Sequence, residues 1–363
     1  MVARIGGDEF MIVAPGLTDL IVAGRIAENI LEAFRIENEK SAGGPPAFGS
    51  IGIAIYPDDA LDREALMSHA DTALNRAKSE GRGTYRFYEA AMGEEIRNRR
   101  SVDHDLRLAI AKGEFRLFYQ PQQAIATGEI TGFEALIRWQ HPQRGIVSPQ
   151  SFIPVAEESG IILQIDEWVL RTACREAASW SRPLIVAANV SAVHLHSVQF
   201  SHMLHKILLQ TGLSPQRLEL EITETALIRD FDRALSALRQ VKALGVRIAM
   251  DDFGTGYSSL ANLRAFPFDK IKIDGSFIKG VDRNDEAAAI VRAILGLGKG
   301  LGLPVLAEGI ETAGELEFLA SELCGEGQGY YFGHPAPIEA FSDVVYGAKP
   351  PAQTSPDMRI KTA

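Results

Sequence analysis

Short apolar runs alternate with longer amphipathic stretches along most of this chain. The β-type runs are EFRLFYQ (114–120), ITGFEALIRW (130–139), PLIVAANVS (183–191), RLELEITET (217–225), VRIAMDD (246–252), FDKIKID (268–274), LPVLAEGIE (303–311) and GQGYYFG (327–333). Helical periodicity fits 155–180, 193–210, 230–244, 285–301 and 312–323, and a short helix fits 258–264. Strands and helices alternating over about 230 residues predict a parallel α/β architecture. Eight runs of near-continuous apolar character predict a closed (β/α)8 barrel, with a doubly wound open sheet as the alternative.

The same pattern divides the chain. Residues 1–88 read as a first unit. Residues 89–112 read as a polar linker helix with sparse apolar positions at Met92, Ile96, Leu106 and Ile110. Residues 113–345 carry the barrel pattern. Residues 346–363, which include AKPPAQTSPDMRIKTA, have the composition of a disordered tail.

Composition narrows the function. With 46% hydrophobic and 23% charged residues among 363, the chain is an ordinary globular protein. Its formal net charge is −10, from 37 Lys plus Arg against 47 Asp plus Glu, which argues against a nucleic-acid polymer as partner. An anionic substrate would then need another source of positive charge, and a metal ion is the obvious one. Cys174 and Cys324 stand far apart without ligand spacing and indicate a reducing compartment. There is no signal-peptide pattern and no apolar run of the ~20 residues a bilayer requires. The richest stretch, 287–307, is broken by Arg292, Lys299 and several glycines. These features predict a soluble, cytoplasmic chain with no membrane partner.

The last residues of the β-type runs carry the chemistry: Gln120, Glu134, Asn189, Glu221, Asp251 with Asp252, Lys272 with Asp274, Glu308 and Gln328. In a barrel those ends share one face. A single acid after a strand is commonly a helix N-cap, and Asp252 and Glu224 could each be one. The set is harder to explain that way, because converging acids repel unless cations lie between them. Oxygen donors without nearby Cys or His favour Mg²⁺ or Mn²⁺ over Zn²⁺. His141, His194 and His196 read as surface or packing residues. Asp251 can bridge two ions and Asp252 can bind the second, the arrangement used for phosphodiester hydrolysis. Lys272 can orient or deprotonate a water, or neutralise transition-state charge. In GVRIAMDDFGTGYSSL (245–260) the apolar strand fixes both acids, and glycines let the backbone turn beside them. The tripeptide DFG also occurs in protein kinases, but neither a kinase glycine loop nor H-R-D is present.

Together these residues resemble the EAL-domain cyclic-di-GMP phosphodiesterases. The name-giving tripeptide is Glu134-Ala135-Leu136. The match continues through YQP (119–121), SFIPVAEESG (151–160), NVS (189–191), ELEITET (219–225), MDDFGTGYSSL (250–260), KID (272–274), AEGIET (307–312) and QGYYFGHP (328–335). The resemblance implies a modified (β/α)8 TIM-type barrel that hydrolyses cyclic di-GMP to linear pGpG with two Mg²⁺ or Mn²⁺ ions. It implies Glu134, Asn189, Glu221 and Asp251 as ligands of one ion, Asp251, Asp252 and Glu308 as ligands of the other, and Lys272 as the residue orienting the attacking water. Gln120, Leu136, Arg138 and Gln328 match positions lining the substrate site, where Arg138 suits a phosphate oxygen. Glu224 matches the anchor of loop 253–260, which in this family couples dimer contacts to metal binding, and a homodimer through the barrel is implied. Gly325 stands where an acid is common and His334 where Arg or Lys is common.

The first unit resembles the C-terminal half of a GGDEF (diguanylate cyclase) domain, giving a partial α/β unit. The motifs are RIGGDEF (4–10, with Gly6, Gly7, Asp8, Glu9 and Phe10), SIGIAIYPDDA (50–60) and ADTALNRAKSEGRGTYRFY (70–88). The family's earlier strands and guanine contacts would lie upstream of residue 1, and Asn75 and Gly83 replace a common Tyr and Asn. The expectation is therefore no cyclase activity, together with an uncovered apolar sheet edge. Two rival functions remain: a receptor that binds cyclic di-GMP without cutting it, which would be marked by lost ligands, and a chain whose first unit is a structural remnant.

Overall fold

The computed structural model describes residues 1–17, 20–40, 48–228, 230–254 and 265–347, in two compact units, Met1–Val102 and Asp103–Ala363. The expected tail from Ala348 and the short helix at 258–264 lie outside the described residues.

In the first unit β1 (Val2–Gly6) and β2 (Glu9–Ile12) form an antiparallel hairpin, turned at Gly7 with φ 54°. Next come helix α1 (Leu20–Lys40), strand β3 (Ile51–Ile53), helix α2 (Arg63–Ser79) and strand β4 (Tyr85–Phe87). Strands β3 and β4 pair in parallel, and α2 is N-capped by Asp62, whose carboxylate accepts from the Ala65 amide. The hairpin forms its own two-stranded sheet, and Val2, Ile5, Phe10 and Ile12 on it are exposed.

Helix α3 (Ala90–Lys112) follows; within the second unit it buries Leu106 and Ala109. The barrel strands are β5 (Phe115–Ala124), β6 (Ile130–His141), β8 (Ile185–Asn189), β9 (Leu218–Thr223), β10 (Arg247–Phe253), β11 (Lys270–Ile273), β12 (Val305–Ala307) and β13 (Glu326–Gln328). They pair in the order β5-β13-β12-β11-β10-β9-β8-β6, and a β5–β6 ladder closes the ring. A short β7 (Gly145–Val147) hangs on the outer part of β6.

Three features differ from the sequence expectation. Strand β5 runs antiparallel to both neighbours, because it returns directly into β6 without a crossover helix. The helix expected over 155–180 is two helices, Pro149–Ser159 and Ile162–Ser179, separated at Gly160 with φ 76°. Likewise 193–210 is divided into Ala192–Leu195 and Phe200–Thr211.

The strands also alternate more strictly than near-continuous apolar runs would. On β9, Leu218, Leu220 and Ile222 are fully buried, while Glu219 and Glu221 lie between them. Lys270 and Lys272 alternate in the same way with Ile271 and Ile273 on β11. The direction of the charged set follows from its partners. Lys270 Nζ lies 2.9 Å from Glu219 Oε1 on β9 and 2.8 Å from Glu326 Oε2 on β13, and neither strand is its neighbour. Such contacts are possible only across the barrel interior. The apolar set therefore faces the surrounding helices, including Ile162–Ser179, which buries Ile165, Val169, Leu170 and Ala173. Each such aliphatic side chain contributes roughly 1.5–3 kcal/mol on burial. The barrel interior is ionic and the apolar core is the layer between strands and helices.

Candidate metal centre

The ionic interior has two levels. In the lower one, Lys270 bridges Glu219 and Glu326, and Arg247 Nε reaches Glu219 Oε2 at 3.1 Å. Burial opposes the Lys270 charge, but the two carboxylates outweigh it and hold its pKa above the usual lysine value.

The upper level sits at the C-terminal ends of the parallel strands. Lys272 Nζ, fully buried, lies 2.8 Å from Glu221 Oε1, 2.6 Å from Glu308 Oε1, 3.1 Å from Asp251 Oδ1 and 3.9 Å from Glu134 Oε2. Asn189, the last residue of β8, donates from Nδ2 to Glu134 Oε1 at 2.7 Å and to Glu221 Oε2 at 3.3 Å. Gln328 Nε2 donates to Glu134 Oε2 at 2.6 Å and to Gln120 Oε1 at 3.1 Å. Side chains from β5, β6, β8, β9, β10, β11, the turn after β12, and β13 thus meet at one place.

Two adjacent acids on a regular strand would point to opposite faces. The register of β10 against β11 shifts between Met250 and Phe253, and Asp252 adopts φ 53°. This is a β-bulge with one residue in the left-handed region, a conformation Asp tolerates better than most residues. The bulge brings the second acid back toward the first. Oxygens of Asp251, Asp252 and Glu308 all lie within 4.8 Å of one another. Gly254 follows at φ 102°, a value that excludes most side chains.

The electrostatics express crowding. Glu134, Glu221, Asp251, Asp252 and Glu308 face one ammonium, Lys272. Burial opposes the Lys272 charge, yet the surrounding carboxylates hold its pKa well above the usual value. Burial and the neighbouring acids raise Glu221, and the same causes push Glu308 up to about 8. Glu134 moves the other way: burial opposes ionisation, but Lys272 and the Gln328 and Asn189 amides outweigh it. Asp252 is raised by burial and by Asp251. An oxygen-only donor set carrying more negative charge than one lysine neutralises fits hard divalent cations.

Most of the residues expected at the site meet here; Leu136, Arg138, Glu224 and Asp274 stand beside it or elsewhere in the second unit, and the GGDEF residues belong to the first unit. Glu134, Leu136 and Arg138 alternate along β6, and Gln120 pairs directly with Glu134. Leu136 is half-buried. The Arg138 guanidinium lies 5.6 Å from the Phe118 ring centroid and donates to the Ile137 carbonyl at 2.8 Å; burial lowers its pKa. Glu224 is buried at the start of a short helix, Glu224–Ile228, and among the described residues neither carboxylate oxygen has a hydrogen-bond partner. Most of its expected loop, 255–260, lies outside the described residues. Asp274 caps Gly275–Ile278 by accepting from Ser276 N at 2.9 Å. The histidines pack: His141 Nδ1 accepts from the Gln143 and Arg144 amides, and His194 sits 3.3 Å from Asp166. Gly6 ends β1, Gly7 and Asp8 form the β1–β2 turn, and Asp8, Glu9 and Phe10 are exposed.

Sequence reading missed Gln122 and the Glu219–Lys270–Glu326 level. Period two was the available signal, since Gln122 shares a strand face with Gln120, and Glu219 and Lys270 with Glu221 and Lys272.

The EAL domain family matches residues 103–335. The chain belongs to the EAL-domain family. The family described as diguanylate cyclase, GGDEF domain, matches residues 1–84. An uncharacterized signaling protein of Caulobacter vibrioides is 52% identical over 94% of this chain and 42% of its own length. The bifunctional diguanylate cyclase/cyclic di-GMP phosphodiesterase MucR of Pseudomonas aeruginosa is 40% identical over 93% of this chain and 50% of its own. The structure of the PaMucR phosphodiesterase, a c-di-GMP complex, aligns at TM-score 0.65 and 42% identity, covering 66% of this EAL chain and 99% of that one. The chain spans about half the length of the curated relatives it matches. Among the described residues no helix is long and apolar enough to cross a membrane.

Proposed function

We propose that the EAL barrel hydrolyses one phosphodiester bond of cyclic di-GMP and releases linear pGpG. The observation that carries this reading is the convergence of Glu134, Asn189, Glu221, Asp251, Asp252 and Glu308 around Lys272 at one barrel end. In this reading Glu134, Asn189 through its amide oxygen, Glu221 and Asp251 would hold one Mg²⁺ or Mn²⁺, and Asp251, Asp252 and Glu308 would hold a second. Bound ions of this kind polarise the phosphate and lower the pKa of a water.

The chain's own residues do the rest. Lys272 orients the water, whose oxygen bonds to phosphorus as the P–O3′ bond breaks. The water's proton passes to the carboxylate cluster and from there to the departing O3′, so one water is consumed. Arg138 binds a non-bridging phosphate oxygen, and Gln120, Leu136 and Gln328 line the substrate. The carboxylate set has no gap of the kind expected for a receptor that binds without cutting, which favours the enzyme. The test is incubation of cyclic di-GMP with the full chain and Mn²⁺. Chromatography should show pGpG, and Glu134→Ala should abolish it. Absence of product from folded, metal-loaded protein defeats the reading. A homodimer through the barrel belongs to the same proposal, and light scattering at working concentration checks it.

A further inference from the structure

Gln122 on β5 is 1% exposed and has no part in the chemistry proposed above. Its Nε2 lies 3.1 Å from Gln328 Oε1 and 3.5 Å from Glu221 Oε1. The direction of these bonds is forced. Glu134 Oε2 is an acceptor, so the Gln328 atom 2.6 Å from it must be the amide nitrogen. That turns the Gln328 carbonyl toward Gln122, which must then present its own N–H group. The second Gln328 N–H goes to Gln120 Oε1 at 3.1 Å, leaving Gln120 Nε2 to donate to the Gly333 carbonyl at 3.2 Å. None of these three amides can turn over without setting an oxygen against an oxygen. The backbone holds the start of the chain, since Gln122 and Gln328 face each other across the β5–β13 ladder.

We propose that Gln122 is a positioning residue of the metal centre, which fixes the amide of Gln328 and so holds Glu134 and Glu221 in ligating orientation. This rests on the metal-dependent reading. Without the Gln122 N–H, Gln328 loses the partner that distinguishes its two ends. Glu134 then loses a donor at one oxygen, and Glu221 loses its N–H from β5. Groups that orient ligands in this way typically govern metal affinity by 10–100-fold.

The test is calorimetric titration of the full chain with Mn²⁺, paired with thermal unfolding in EDTA. Gln122→Met keeps the volume and removes the donor. It should weaken Mn²⁺ binding about tenfold or more, while the unfolding temperature in EDTA stays close to wild type. Gln122→Asn keeps the amide but is one methylene short, and should show the same loss if the Met variant fails to fold. Gln328→Met should weaken binding too, and the double variant should be no worse than the weaker single variant, because both act through one chain. Wild-type affinity in Gln122→Met and Gln122→Asn overturns the inference. So does an affinity loss matched by an equal loss of stability in EDTA, or one additive with Gln328→Met. A wild-type chain that binds no Mn²⁺ defeats the metal reading itself, which is a separate outcome.

Discussion

Asp252 and Lys272 show how single residues meet opposing demands at this site. Asp252 needs a left-handed backbone and also carries a charge that burial and Asp251 disfavour. Asn tolerates the same backbone without the charge, whereas Ala there costs about 1–2 kcal/mol. In EDTA, Asp252→Asn should therefore be at least as stable as wild type and Asp252→Ala less stable by about that amount, measured by urea denaturation. Equal stabilities would show that the φ angle carries no cost. Lys272 is the ammonium shared by Glu221, Asp251 and Glu308. Lys272→Met leaves those acids buried without it, a loss of about 3 kcal/mol in EDTA. Added Mn²⁺ should recover much of the deficit, because it supplies the missing positive charge. Denaturation curves with and without Mn²⁺ check this, and a deficit unchanged by the ion would count against the site.

At the level of elements, strand-helix alternation predicts the closed barrel, and the residues at strand ends supply most of the side chains that converge around Lys272. Hydrophobic pattern reports burial and not strand direction, so the antiparallel β5 was not legible in it. Nor does it report which buried face is apolar. Glu219 and Lys270 look anomalous until their strands are known to face each other across the barrel. The bulge at Asp252 was also invisible, because it depends on register against β11. A cap was easier to find in the structure than in the sequence. Glu315 closes a capping box with Thr312 and also accepts from the Gly280 amide at 2.9 Å, tying two loops beside the site. Burial opposes its charge, but these backbone donors outweigh it and lower its pKa. A lowered folded pKa means stabilisation that is present above the unfolded value of about 4.3 and is lost as pH falls through the folded pKa. Glu315→Gln should thus cost about 1.5–3 kcal/mol at pH 7. The gap to wild type should close as pH falls below 4, as followed by guanidinium denaturation across that range. A pH-independent gap would assign the loss to packing instead of charge.

At the scale of the whole molecule, the two units differ in how they bury apolar surface. The barrel unit seals its apolar layer between strands and helices. The first unit leaves Val2, Ile5, Phe10 and Phe48 exposed, the last at 72%. Exposed apolar surface of this kind favours association. The ligand set proposed for hydrolysis lies entirely within Asp103–Ala363. A chain of residues 103–363 keeps the buried Leu106 and Ala109 of helix α3 together with every barrel strand. It should fold, bind Mn²⁺ with the affinity of the full chain and elute as a narrower species at high concentration. Calorimetry should give the full chain an additional, lower transition that the shorter chain lacks, since the less completely buried unit has less apolar burial to stabilise it. If the shorter chain instead melts well below the main transition of the full chain, or loses Mn²⁺ binding, the first unit is a structural requirement of the barrel.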